Sequence, residues 1–70
     1  MRITYDPEAD ALYIRFEETT VTTKPLAEGI AADYDAKGRL AGIEILDAMR
    51  RFGDKQTLKK ITLEEIGLSH

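Results

Sequence analysis

From Ile3 to Phe16 the apolar and polar side chains alternate with a period of two, interrupted by one short polar run. This period places the apolar side chains on one face of an extended strand, whereas a helix needs a spacing of three to four. The interrupting run, residues 6–10, reads Asp-Pro-Glu-Ala-Asp, and Asp followed by Pro is typical of a turn. The pattern therefore predicts a β-hairpin and a chain built around an antiparallel sheet.

A second hairpin is predicted where residues 30–34 and 39–45 flank the sequence Asp35-Ala36-Lys37-Gly38. This run fits a type I turn closed by a glycine in the left-handed region. Residues 17–29, between the two hairpins, are rich in Thr, lack an apolar period and contain Pro25. We expect an exposed edge strand or an irregular connection there.

The last predicted strand breaks the alternation. Leu40 lies out of phase with Ile43 and Ile45, so a regular strand would place it on the opposite face. A β-bulge at residues 41–42 would return all three apolar side chains to the core face and turn Glu44 outward. The sequence therefore predicts a bulge within this strand.

Helical signals begin after the predicted sheet. Asp47 is the expected N-cap of a short helix over residues 48–52, which Gly53 would end. A Thr-x-x-Glu capping-box pattern predicts a further short helix over residues 62–66. The predicted fold class is therefore α+β, a small antiparallel sheet of two β-hairpins with about four strands, followed by short C-terminal helices.

The chain of 70 residues is long enough for one small core. We expect a single domain, with the sheet and a short helix in residues 1–53 and a tail with its own short helix in residues 54–70. Because the chain has no Cys, disulfides cannot reinforce it. Oligomerisation is another way to stabilise so small a domain, so we expect a homodimer.

Catalytic chemistry has few candidates in this sequence. It has no Cys, and its single Ser and single His are adjacent at the end of the chain, as Ser69 and His70. A nucleophile and a base held rigidly within reach of each other are therefore not expected. We expect no cofactor and no enzymatic activity. With no apolar run of about 18 residues and no signal-like start, we expect a soluble cytoplasmic protein and no membrane association.

A polar face is expected on the side of the sheet opposite the core. Asp33 and Asp35 share one side of a predicted strand, and Glu44 approaches them across the hairpin. Carboxylates of this kind suit magnesium or calcium, but they equally serve as turn residues or solvated partners of arginine. A ligand-binding, metal-binding or hydrolytic site at a dimer interface is the alternative hypothesis, and its residues are Tyr13, Asp33, Asp35 and Glu44. The whole expected face comprises Arg2, Thr4, Tyr13, Arg15, Asp33, Asp35 and Glu44.

Five basic residues lie between positions 50 and 60 in a chain of net charge −3. They fit a solvated helix end, a protein-binding surface or a nucleic-acid contact, although the acidic whole disfavours nucleic acid. The apolar residues of the tail complete the core, pack across a dimer or dock on another protein. The candidate residues for contact with a partner are Arg50, Arg51, Phe52, Leu58, Ile61 and Ile66.

Three segments of the chain resemble a known family. Residues 5–14 carry the pattern Y-D-x-x-x-D-x-L-Y-I, residues 42–46 read G-I-E-I-L, and Asp33-Tyr34-Asp35 lies between them. Over residues 3 to about 52 the chain resembles the small bacterial and archaeal proteins grouped as domain of unknown function 2283. The resemblance implies a small β-rich domain, often encoded beside another small protein as antitoxins are beside toxins.

The residues and the resemblance together favour one leading hypothesis. The protein is expected to be a non-enzymatic interaction module, antitoxin-like, that forms a homodimer and binds a small protein partner. The sheet face and the C-terminal tail are the expected contact surfaces.

Overall fold

A computed structural model of the chain describes residues 1–54, 56 and 57. It contains a five-stranded sheet in the order β1-β2-β5-β4-β3, with every neighbouring pair antiparallel. The elements are β1 (Arg2–Asp6), β2 (Ala11–Arg15), β3 (Thr22–Ala27), β4 (Ile30–Tyr34), β5 (Leu40–Leu46) and the helix α1 (Ala48–Phe52). The predicted antiparallel sheet followed by a helix is confirmed.

The strand count is corrected from about four to five. Both predicted hairpins are present, as β1-β2 and β4-β5, and β2 pairs with β5 to join them. The additional strand, β3, pairs with β4 at one edge, so the edge-strand alternative for this segment is the right one. All six residues of β3 are exposed, and its register shifts between Pro25 and Ala27. A strand with no buried side carries no alternation, which is why the sequence pattern did not define it.

The register divides the sheet into two faces, since residues directly opposite each other on neighbouring strands share a face. What we call the apolar face carries Ile3, Tyr5, Leu12, Ile14, Ile30, Ala32, Tyr34, Leu40, Ile43 and Ile45. What we call the polar face carries Arg2, Thr4, Tyr13, Arg15, Thr23, Asp33 and Glu44.

The bulge predicted in β5 is confirmed. Asp33 pairs with Gly42, but the next residue, Tyr34, pairs with Leu40, so Ala41 is the additional residue of β5. The shift brings Leu40 into line with the isoleucines of the apolar face. Side-chain burial on this face is nevertheless shallow: of the residues that form it, Leu12 and Ala32 are the buried ones.

The helix α1 begins at Ala48 with Asp47 at its N-cap position, as predicted, but the residue whose side chain caps it is not Asp47. Asp47 has φ 54°, and among the described residues its side chain makes no capping hydrogen bond to an N–H group of the helix; its Oδ2 instead accepts a hydrogen bond from Arg50 at 3.0 Å. The helix is capped by Asp10, from the first hairpin turn. The Asp10 carbonyl accepts from Ala48 N at 3.0 Å, and Asp10 Oδ1 accepts from Met49 N at 3.0 Å. A residue distant in the chain therefore replaces the local cap.

The end of α1 agrees with the prediction, because Gly53 adopts φ 96° and its N–H donates to the Met49 carbonyl at 2.8 Å. The predicted helix at residues 62–66 and the remainder of the tail lie outside the described residues. In the part of the chain that is described, no helix is both long and apolar enough to cross a membrane.

Candidate functional site

The most enclosed polar group of the sheet is the carboxyl of Asp33, on β4. Its residue is 6% exposed, and its Oδ1 accepts a hydrogen bond from Thr23 Oγ1 at 2.6 Å. The position directly opposite on β5 is Gly42, where an added Cβ would lie 3.4 Å from Asp33 Oδ2. The missing side chain at Gly42 leaves room for the Asp33 carboxyl to lie over β5 and reach Glu44, two residues further along that strand.

Asp33 and Glu44, here called the acid pair, are electrostatically linked. Burial is the main cause that raises the pKa of Glu44 above its ordinary value, and the hydrogen bond and negative charge of Asp33 add to it. The Arg15 guanidinium and a hydrogen bond with Thr23 oppose the rise in the pKa. Because a neighbouring negative charge disfavours ionisation, Glu44 retains its proton more readily than an isolated glutamate.

Glu44→Gln is expected to stabilise the fold at pH 7 relative to the native chain. Because folding raises the pKa of Glu44, the folded state loses stability as the pH rises from the ordinary value of 4.5 through the raised value. The advantage of Glu44→Gln should therefore shrink as the pH falls from 7 towards 4.5, which urea unfolding at a series of pH values will measure. Glu8→Gln, at an exposed position, serves as the control and should show no such trend. A pH-independent difference for Glu44→Gln would contradict the linkage.

The other residues of the predicted polar site divide between two places. Tyr13 lies directly opposite Glu44 on the β2-β5 pair and is half-buried, so it borders the acid pair. Asp35 lies beyond the end of β4, in the turn. Its Oδ1 accepts from Lys37 N and Arg39 N, both at 2.9 Å, and its Oδ2 accepts from Arg39 Nε at 2.9 Å. These bonds lower the pKa of Asp35, and they give it a role in closing the β4-β5 turn.

The structure thus gathers Tyr13, Asp33 and Glu44 and leaves Asp35 apart from them. Among the residues that the structure describes, no three Asp, Glu or His side chains are grouped so as to hold a metal ion. What the acid pair offers chemically is a partly enclosed carboxyl, that of Glu44, opposite the phenol of Tyr13 and in a small depression of about 70 Å³ that Thr19 and Val21 also line.

The predicted partner-contact residues begin on α1. Arg51 contacts two carbonyls, donating from Nε to Leu46 O at 2.9 Å and from Nη2 to Glu28 O at 2.6 Å. It thereby holds α1 against the β3-β4 turn. Arg50 is exposed and pairs with Asp47, and Phe52 is half-buried. The other three predicted contact residues, Leu58, Ile61 and Ile66, lie outside the described residues.

One end of the apolar face is exposed. Phe16, which continues the alternation of β2, is 39% exposed, and Leu40 is 46% exposed. The Phe16 N–H donates to the carbonyl of Ala41 at 2.8 Å, so Phe16 and Leu40 lie at the same end of the sheet. Tyr34 pairs directly with Leu40 and is half-buried. We call Phe16, Tyr34 and Leu40 the apolar end; the sequence placed Leu40 on the core face and Phe16 in phase with the apolar residues of β2, but it singled out none of the three as a contact surface.

A second group that the sequence reasoning did not single out lies at the polar face near the start of β1. Arg2 lies directly opposite Arg15, and the carboxylate of Glu18 contacts both. Alternation places the two arginines on the same face, but Glu18 belongs to the irregular segment after β2, for which the sequence offers no register. The sequence therefore predicts the shared face of the two arginines but not the position of Glu18.

The comparison with known families agrees with the resemblance seen in the sequence. The family model described as protein of unknown function (DUF2283) matches residues 2–48. No curated protein and no solved structure matches the chain. The matched segment includes all five strands and ends at the first residue of α1. The chain therefore belongs to the DUF2283 family.

Proposed function

We propose that the protein is a non-enzymatic interaction module, antitoxin-like in that it binds a small protein partner. The observation that supports this function best is the apolar end, where Phe16 and Leu40 are 39% and 46% exposed beside the half-buried Tyr34. Neighbouring exposed apolar side chains of this size mark surfaces that other proteins cover. Aromatic residues are also enriched among those that dominate binding energy.

Charges around the apolar end define the chemistry of the partner. Lys24 Nζ lies 5.7 Å from the centroid of the Tyr34 ring, and Lys37 is exposed in the turn that precedes Leu40. An apolar patch bordered by ammonium groups complements apolar side chains flanked by carboxylates. The proposed partner therefore presents an acidic, amphipathic segment.

The test is affinity purification from cells that encode the protein, followed by native mass spectrometry of the full chain and two variants. The native chain should retain a stoichiometric small protein, and the double variant Phe16→Ser, Leu40→Ser should lose it. Leu26→Ser is the matched control, because Leu26 is an exposed leucine on the edge strand β3, away from the apolar end. Equal retention by the double variant, or capture of no protein by the native chain, would contradict the proposal. Circular dichroism checks that each variant is folded.

A ligand-binding or hydrolytic site around Tyr13, Asp33 and Glu44 is the second candidate, supported by the enclosed acid pair. If this site exists, magnesium, calcium or a small anion should raise the melting temperature of the native protein. Asp33→Ala or Glu44→Ala should remove that shift. A homodimer in which this face lies at the interface would deepen the site. The native mass spectrometry used to identify the partner also measures the oligomeric state.

A further inference from the structure

The pairing of β1 with β2 sets two positive charges against each other. Arg2 and Arg15 are directly opposite on the polar face. Like charges at opposed positions destabilise an antiparallel pair, so this arrangement favours an anion that contacts both guanidinium groups. Arginine suits a carboxylate in particular, because its planar donors match the two carboxylate oxygens.

A carboxylate of the chain itself, that of Glu18, lies at this position. Glu18 Oε1 is 2.9 Å from Arg2 Nε, and Glu18 Oε2 is 3.3 Å from Arg2 Nη2 and 3.5 Å from Arg15 Nη1. All three side chains are about half exposed or more, and ion pairs at such positions contribute little to stability. Glu18 also lies in the segment between β2 and β3 rather than within a strand. The ion pairs that hold Glu18 are therefore weak, and an external carboxylate would compete with Glu18 for the same two arginines.

A depression of about 460 Å³ adjoins the two arginines, a volume within the range of small-molecule sites. Its other lining residues include three with apolar surface, Tyr5, Pro7 and Tyr13, and one with a hydroxyl, Thr4. Asp6 also lines the depression and places a negative charge there besides the arginines. A ligand with a second negative charge is therefore disfavoured.

We propose that this depression binds a small monocarboxylate with an apolar body, and that Glu18 competes with the ligand for Arg2 and Arg15. The site lies on the polar face and goes beyond the protein interaction proposed for the apolar end. Glu18 acts as an internal stand-in for the ligand carboxylate, so removing its charge opens the site.

The test is an NMR titration of the full chain with phenylacetate, using phenylacetamide as the uncharged match. Phenylacetate should shift the amide signals of β1 and β2, and phenylacetamide should leave them unchanged. Glu18→Gln should tighten phenylacetate binding about two- to fivefold, the range expected from an exposed ion pair. Arg15→Gln should weaken phenylacetate binding about two- to fivefold, because it removes one partner of an exposed ion pair.

Arg2→Gln should also weaken phenylacetate binding. It tests the same site in case Arg15→Gln disturbs the sheet. Arg50→Gln is the control, since Arg50 is an exposed arginine on α1, outside the depression, and should bind phenylacetate as the native chain does. Unchanged affinity in Glu18→Gln, or in both arginine variants, would overturn the proposal. Tighter binding of inorganic phosphate than of phenylacetate would overturn the assignment to a carboxylate.

Discussion

Asp10→Ala is expected to lower the free energy of unfolding by about 2–4 kcal/mol, because one side chain joins the first hairpin to the helix. Asp10 Oδ1 accepts from Tyr5 Oη at 2.7 Å and from Met49 N at 3.0 Å. Ala would leave both part-buried donors without this acceptor. It would also have to adopt φ 50°, a left-handed conformation that Asp tolerates better than Ala. Urea unfolding followed by circular dichroism will measure the loss.

Two further variants separate the causes of this loss. Asp10→Asn keeps an oxygen acceptor and tolerates the positive φ, so it should retain most of the stability. Asp10→Gly removes the acceptor but relieves the backbone strain, and should fall between the Asn and Ala variants. Hydrogen exchange at the Met49 amide should accelerate in Ala and Gly but not in Asn. Equal stability of the Asn and Ala variants would show that Asp10 does not anchor the helix.

The role of Asp10 also explains part of the family pattern. In Y-D-x-x-x-D-x-L-Y-I the first and sixth positions are Tyr5 and Asp10, which bond to each other. The hydrogen bond to Asp10 is the main cause that raises the pKa of Tyr5. Asp6, at the second position, accepts from the N–H groups of Glu8 and Ala9 at 3.0 and 3.4 Å and so shapes the turn. These three residues therefore maintain the fold.

Gly42→Ala is expected to cost about 1–3 kcal/mol through steric overlap. A Cβ at this position would lie 2.8 Å from the Ile14 carbonyl oxygen on the neighbouring strand and 3.4 Å from Asp33 Oδ2. The first contact is with backbone, so β2 must move away from β5 to relieve it. Gly42 does not have a positive φ, so the backbone preference of Ala would by itself favour the variant. A net loss of stability would therefore be caused by the overlap between the added Cβ and the Ile14 carbonyl oxygen.

Gly38→Ala is the matched control for this substitution. Gly38 has φ 80° and an added Cβ there would meet no atom within 4 Å, so only backbone strain of about 1–2 kcal/mol is expected. The two variants differ in their effect on the acid pair. Gly42→Ala should change the titration of Glu44 measured by NMR, because it displaces Asp33, and Gly38→Ala should leave that titration unchanged. A Gly42→Ala protein as stable as the native chain would contradict the close approach of β2 to Gly42.

The candidate site was predictable in part. Alternation placed Tyr13, Asp33 and Glu44 on the polar face, because side-chain direction along a strand depends on parity alone. Parity also grouped Asp35 with Asp33, but β4 ends at Tyr34 and Asp35 bonds to the turn. How deeply each side chain is enclosed depends on the neighbouring strands. The burial of Asp33 under Thr23 therefore required the placement of β3, a strand that no pattern defined.

The sequence by itself determined the two hairpins, the bulge in β5 and the division into an apolar and a polar face, since each depends on residues a few positions apart. The tertiary structure alone decided the position of β3, the enclosure of the acid pair and the capping of α1 by Asp10. Asp10 and Met49 are 39 positions apart, and their bond forms only after β2 and β5 have paired. Local patterns encode strand direction and turns, whereas capping and burial depend on which distant segments the sheet brings together.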